Sequence, residues 1–139
     1  MPSITYRTEI LQKNHITIAE CFYADIEYDY LPLKYIKNFI FLDLSIYRYF
    51  IGRAGQSISR EGCTRHYLDH LKITCRIIEY FNAQKQERVD NIYMEIVKRI
   101  AKVKICQNYV VLLRYYLKRV EADRLLWNFD DYLRKVNAE

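Results

Sequence analysis

The chain has 139 residues, 51% of them hydrophobic and 28% charged, and carries a net charge of +5. That balance excludes a disordered polar chain and leaves room for one domain, or for one compact piece with an extension. No stretch approaches the roughly 18 apolar residues of a membrane-spanning helix, because Asp43 and Arg48 interrupt the best candidate.

Residues 1–57 carry six basic and six acidic side chains and residues 58–139 carry sixteen and eleven, so the whole surplus lies in the second part. Fourteen tyrosines supply apolar area with a polar tip, which suits a small core, a sugar-facing surface or a membrane interface. Cys21, Cys63, Cys75 and Cys106 lack C-x-x-C spacing, and the start of the chain has no apolar signal core. Both features read as reduced thiols in a cytoplasmic protein.

In chain order, Thr8 to Asn14 is predicted as a short helix capped by Thr8. Ile16-Thr17-Ile18 reads as a short strand. Asp25 opens a second short helix that ends near Pro32. Asn38 to Phe50, rich in Phe, Ile, Leu and Tyr, reads as two extended segments bent around Asp43-Leu44-Ser45. Residues 52–59 form a loop.

All three glycines and both prolines lie within the first 62 residues, and the remaining 77 residues have helical periodicity. Leu68, Leu71, Cys75 and Ile78 mark a helix over 63–82, followed by a polar link, Asn82-Ala83-Gln84-Lys85-Gln86. Val89, Ile92, Tyr93, Ile96, Val97, Ile100, Val103, Cys106, Val110, Leu113 and Leu117 mark one long helix, with Lys98, Arg99, Lys102, Lys104, Arg114, Lys118 and Arg119 on the opposite face. A last helix carries Leu125, Leu126, Phe129, Tyr132, Leu133 and Val136, with Asp123 at its first turn. The expected fold is mainly α, with a small mixed α+β N-terminal part over 1–59 and a three-helix C-terminal region over 60–139.

Three stretches carry the candidate chemistry: Ser3-Ile4-Thr5-Tyr6, Phe22-Tyr23-Ala24-Asp25-Ile26-Glu27-Tyr28, and Tyr47-Arg48-Tyr49-Phe50-Ile51-Gly52-Arg53-Ala54-Gly55-Gln56-Ser57. Their order, with Pro32-Leu33-Lys34-Tyr35 between, resembles the acceptor side of bacterial family 2 glycosyltransferases of GT-A type. In that family a Tyr-acidic-Asp-x-Glu-Tyr motif supplies the carboxylate that takes the acceptor proton during inverting transfer. The resemblance makes Asp25 the candidate general base, although Ala24 stands where the family usually has an acid. An aspartate there also suits a helix N-cap, and the two roles are compatible. Tyr23, Glu27 and Tyr28 would shape the acceptor site. Arg53 and Gln56 would line the donor side, where a guanidinium fork and glycine-flanked amides suit a diphosphate, and Ser57 beside them would contact donor or acceptor.

The family's Rossmann-like donor half and its metal-holding Asp-x-Asp are not found in this sequence; Asp130-Asp131 is the nearest pair. The expectation is a partial enzyme, inactive alone, with nucleotide-sugar and divalent metal bound only through the missing half and with no cofactor of its own. The acceptor would be a glycan or a lipid-linked saccharide. Cys63, His66 and His70 share one helical face, but partly exposed helix histidines are commoner than a zinc set, and no metal site is expected.

The basic helix reads either as a solvated face or as a surface for anionic lipid at the inner face of the cell membrane. Acidic residues among its cations and the lack of a recognised motif argue against nucleic acid. The alternative to a partial enzyme is a helical interaction module that binds a partner protein, a membrane surface or a second copy through uncovered apolar stripes.

Overall fold

A computed structural model describes residues 4–45, 47–53, 55–86 and 91–136. These residues form six α-helices: α1 (Thr8–Lys13), α2 (Asp25–Tyr30), α3 (Arg60–Arg65), α4 (Tyr67–Gln86), α5 (Asn91–Val110) and α6 (Arg119–Lys135). A 3-10 turn at Leu33–Tyr35 follows α2, and a π-helical turn at Val111–Tyr115 extends α5.

The helices share two adjoining cores. In the first, Tyr30 from α2, Ile77 from α4, and Tyr93, Val97 and Ala101 from α5 are buried, with Ile26, Leu33, Tyr80 and Ile100 packed around them. The Tyr93 hydroxyl donates to that of Tyr80, whose ring lies 5.1 Å from that of Tyr30. The tyrosine content thus serves the core, where each ring adds apolar area and each hydroxyl needs a partner. In the second core Tyr67, Leu112, Tyr116 and Ala122 join α4 and α6 through the π turn, with Tyr67 edge-on to Tyr116 at 5.5 Å.

The small α+β part is not formed: among the described residues there is no strand. Residues 16–18 are irregular, and so is the described part of 38–50. A strand is stable only with a ladder partner, and an isolated hairpin is marginal in water. Asp43-Leu44-Ser45 also lacks the Asn-Gly or Asp-Gly chemistry that closes a tight hairpin. Phe39, Ile40, Phe41, Leu42, Leu44, Tyr47, Tyr49, Phe50 and Ile51 therefore stand in solvent, each more than half exposed.

Both N-terminal helices form at their expected places, but with different first turns. Arg7 rather than Thr8 occupies the N-cap of α1, and Ala24 rather than Asp25 that of α2. The helix expected over 63–82 is divided at His66, which ends α3, while Ser59 caps the start of α3 by accepting from Gly62 N–H at 3.0 Å. Among the described residues the C-terminal region accordingly holds four helices rather than three. The polar link at 82–86 is the last turn of α4, because Ala, Gln and Lys are good helix formers whatever their polarity. Val89 lies outside the described residues.

The long helix stops at Val110, and the π turn closes with Tyr116 N–H donating to Val111 C=O at 2.7 Å. Its buried face is Tyr93, Val97, Ala101, Lys104 and Asn108, whereas Ile96, Val103 and Val110 are exposed beside Arg99 and Lys102. Lys104 does not belong to the basic outer face, and the expected apolar stripe divides: Tyr93, Val97 and Ile100 pack, whereas Ile92, Ile96, Val103 and Val110 are exposed. Asp123 falls in the second turn of α6, whose first turn carries Glu121. Among the described residues no helix is long and apolar enough to cross a membrane.

Candidate functional site

Tyr23 joins two of the three stretches singled out in the sequence. Its backbone is left-handed (φ 65°), a conformation that costs a non-glycine residue about 1–3 kcal/mol. The phenol donates to Ser57 C=O at 2.8 Å, and the ring stands edge-on to His70 at 5.1 Å. Burial pushes the phenol up to about 12, so it remains a neutral donor at physiological pH. Ser57 C=O also receives the Cys63 thiol at 3.6 Å.

The loop that Tyr23 holds is organised by Gln56. Its Oε1 accepts from Gly52 N–H at 2.9 Å and from Arg53 N–H at 3.2 Å, and its Nε2 donates to Phe50 C=O at 2.6 Å. Gly52 and Gly55 have φ of 95° and 78°, values that favour glycine. Gly62 is held by a different constraint. A Cβ there would lie 2.2 Å from Gln56 C=O, so only glycine lets α3 back onto the loop. The exposed Arg53 side chain, Arg65 and Glu61 border an open concavity of about 510 Å³ beside this loop. Gln56 is thus a loop brace, while the Arg53 side chain is exposed at the concavity.

Asp25 is exposed on the first turn of α2. Its charge acts on Lys104, a buried lysine of α5 whose ammonium is pulled below its usual range by desolvation, against the opposing pull of Asp25 and Asp29. Burial in turn raises the Asp29 carboxyl, with Asp25 adding to the rise. The charge pattern of the sequence places Lys104 on the outer face; its spacing from Tyr93, Val97 and Ala101 is the signal that points inward instead.

Glu27 is fully buried, and both its oxygens are engaged. Oε2 accepts Ala19 N–H at 2.7 Å and Oε1 is ion-paired with Arg76 of α4. It holds the chain before α2 onto α4 and presents no oxygen to a solvent-borne ligand. Tyr28 packs edge-on against Tyr6 at 4.8 Å. Of the seven residues singled out, Tyr23 and Ser57 are brought together directly, Gln56 and Arg53 lie in the loop that Ser57 ends, Glu27 is turned onto α4 and Tyr28 onto Tyr6, and Asp25 stands exposed on α2 with no bond to the others. Arg76 is not legible in the sequence as part of this region, because its partner lies 49 positions away and no local pattern connects them.

His66 stacks on Phe22 with ring centroids 3.5 Å apart, and His70 is buried, its imidazole held below its usual range chiefly by desolvation. Among the described residues no three His, Cys, Asp or Glu side chains gather as a metal site would need. Asp130 and Asp131 are bonded to Arg134 at 2.8 Å and Lys135 at 2.6 Å along α6. The chain matches no family model, no curated protein and no solved structure.

Proposed function

We propose that the chain is the acceptor-side and C-terminal helical portion of an inverting family 2 glycosyltransferase, active only with a separate donor-binding half. Asp25 takes the proton of an acceptor hydroxyl. That oxygen bonds to the anomeric carbon, and the bond to the nucleoside diphosphate breaks with its electron pair leaving on the phosphate. Arg53 faces the leaving diphosphate, where its paired donors suit phosphate oxygens. Tyr23, Gln56 and Glu27 act as architecture. The donor half brings the nucleotide-sugar and the divalent metal.

The observation that carries the reading is the 2.8 Å hydrogen bond from Tyr23 to Ser57 C=O, which ties the Asp25 stretch to the Gly52–Ser57 loop across 34 positions. The test combines the chain with a family 2 donor half and measures nucleoside diphosphate release over a panel of nucleotide-sugars and saccharide acceptors. Transfer by the pair, lost in Asp25→Asn, is expected. Transfer by the chain alone would refute the need for a second half, and full activity in Asp25→Asn would refute the base.

A second reading has one observation in its favour. Ile96, Val103 and Val110 are exposed on α5 beside Arg99 and Lys102, the composition of a helix lying on anionic lipid at the cytoplasmic membrane face. Flotation with anionic but not neutral liposomes is its expected outcome, and equal behaviour with both would remove it.

A further inference from the structure

We infer that the chain pairs with a second copy of itself, the Trp127 indole of one protomer seating in the α5 concavity of its partner. Trp127 is the chain's one tryptophan, and it stands 72% exposed on α6. A large rigid ring covers much area while few bonds are ordered, so tryptophan is among the side chains that most often anchor an interface. Trp127 lies on one stripe with Val120, Asp123 and Asp131, spaced three, four and four residues along the helix and all exposed. The opposite side of α6, with Ala122 and Phe129, is the side that packs.

The receptor is the outer face of α5. Ile92 and Ile96, with Glu95, Lys98, Arg99 and Lys102, line a concavity of about 590 Å³. Pockets that take small organic groups have about 300–1,000 Å³, so an indole fits. The lining carries three cations against one carboxylate. Around Trp127 the balance is reversed, since Asp123 and Asp131 stand one turn to either side and Arg124 alone opposes them. Asp131 also pairs with Lys135 at 2.6 Å, but both groups are more than half exposed, and such a pair is worth little in water. A guanidinium or ammonium within about 6 Å of an indole face is attracted to it, which Arg99 and Lys102 at the rim can supply.

Charge selects the occupant. Anionic lipid suits the α5 rim but is repelled by Asp123 and Asp131 beside Trp127, and nucleic acid meets the same obstacle. A second copy covers both faces at once, because every chain carries the anchor and the receptor. Related by a two-fold axis, two copies make the contact twice and close as a dimer. This pairing is independent of sugar transfer, and it occupies the α5 face that the lipid reading also claims.

The test uses the full chain, with Trp127 as its own probe. Sedimentation velocity over about a hundredfold range of protein concentration should pass from monomer to dimer, with the Trp127 emission moving to the blue in step. Trp127→Ala, outside both packed cores, should weaken pairing about tenfold or more. Ile96→Asp should do the same, and Arg99→Glu on the exposed rim replaces it if Ile96→Asp loses helical circular dichroism. Mixing restores the contact: the Trp127→Ala chain offers an intact concavity and no indole, so adding it should shift the emission of the Ile96→Asp or Arg99→Glu chain to the blue. A chain that stays monomeric throughout, pairing that survives Trp127→Ala, or mixing without a shift would each overturn the inference. Emission that shifts with anionic vesicles while the chain remains monomeric would overturn it in favour of lipid.

Discussion

Arg76→Met tests whether Glu27 is structural. The substitution keeps most of the side-chain volume and removes the charge that faces a carboxylate with no exposure to water. Breaking a buried pair by removing one partner costs about 3–5 kcal/mol, because the remaining charge is left uncompensated. Two features reduce that figure here. Arg76 is 44% exposed, so solvent already screens part of the attraction. Ala19 N–H also continues to donate to Oε2.

A loss of about 2–3 kcal/mol is therefore expected, read as a shift of about 1 M or more in the midpoint of urea unfolding. Glu27→Gln should cost less, about 1–2 kcal/mol, since the amide can still accept from Ala19 and the abandoned guanidinium turns to water. In the double variant the losses should not add, leaving a coupling of about 1–2 kcal/mol. An Arg76→Met loss below about 0.5 kcal/mol, the level of a surface pair, would refute the argument and return Glu27 to the ligand-binding candidates.

Gly62→Ala places a methyl group on Gln56 C=O, so it should lower stability by about 1–3 kcal/mol and speed exchange of the loop amides, checked by denaturation and hydrogen exchange. Tyr23→Phe leaves Ser57 C=O without its phenol and should cost about 1 kcal/mol in the same denaturation assay, with transfer by the reconstituted pair reduced as the loop loosens. His70 is neutral in the fold, its pKa lowered by burial from 6.5. The unfolded chain therefore binds more protons as pH falls through 6.5, and stability drops from that point until the lower folded pKa is passed. Lys104 opposes the His70 charge, while Asn108 and Gln107 favour it. Unfolding measured from pH 7.5 to 5.5 should show this slope in the native chain and a flatter profile in His70→Gln.

Helices are legible in the sequence where the signal is local. α1, α2 and the body of α6 can be read from spacing, and α2 ends at Tyr30 near the expected place, although Leu31 before Pro32 keeps helical angles. The chemistry-bearing side chains are less legible because their contacts are distant: Tyr23 meets Ser57 34 positions on, and Glu27 meets Arg76 49 positions on. Residues 38–50 have the composition of strands, but composition cannot supply the ladder partner that turns them into one. On α5 the apolar stripe is right at Tyr93 and Val97 and incomplete elsewhere, for another reason. The buried face includes Lys104 and Asn108, and Asn108 is kept there by bonds to Thr74 at 2.6 Å and to Lys104 C=O at 3.0 Å. A polar residue that finds partners is as buriable as a leucine, and periodicity alone does not count partners.

The π turn after α5 matters for how chain length is tolerated. A ring closed from Tyr116 to Val111 spans one residue more than an α-helical turn, so it amounts to a single-residue insertion absorbed without opening a loop. Removing one residue between Val111 and Tyr115 would leave the Tyr116 N–H four positions from Val111 C=O, the spacing of an ordinary α-turn. Tyr116 would keep its place against Tyr67, and the chain would leave the helix at the same point. At this position the fold takes up a change of one residue by changing the kind of turn, so a frame-preserving deletion there is expected to be milder than one in the body of α5.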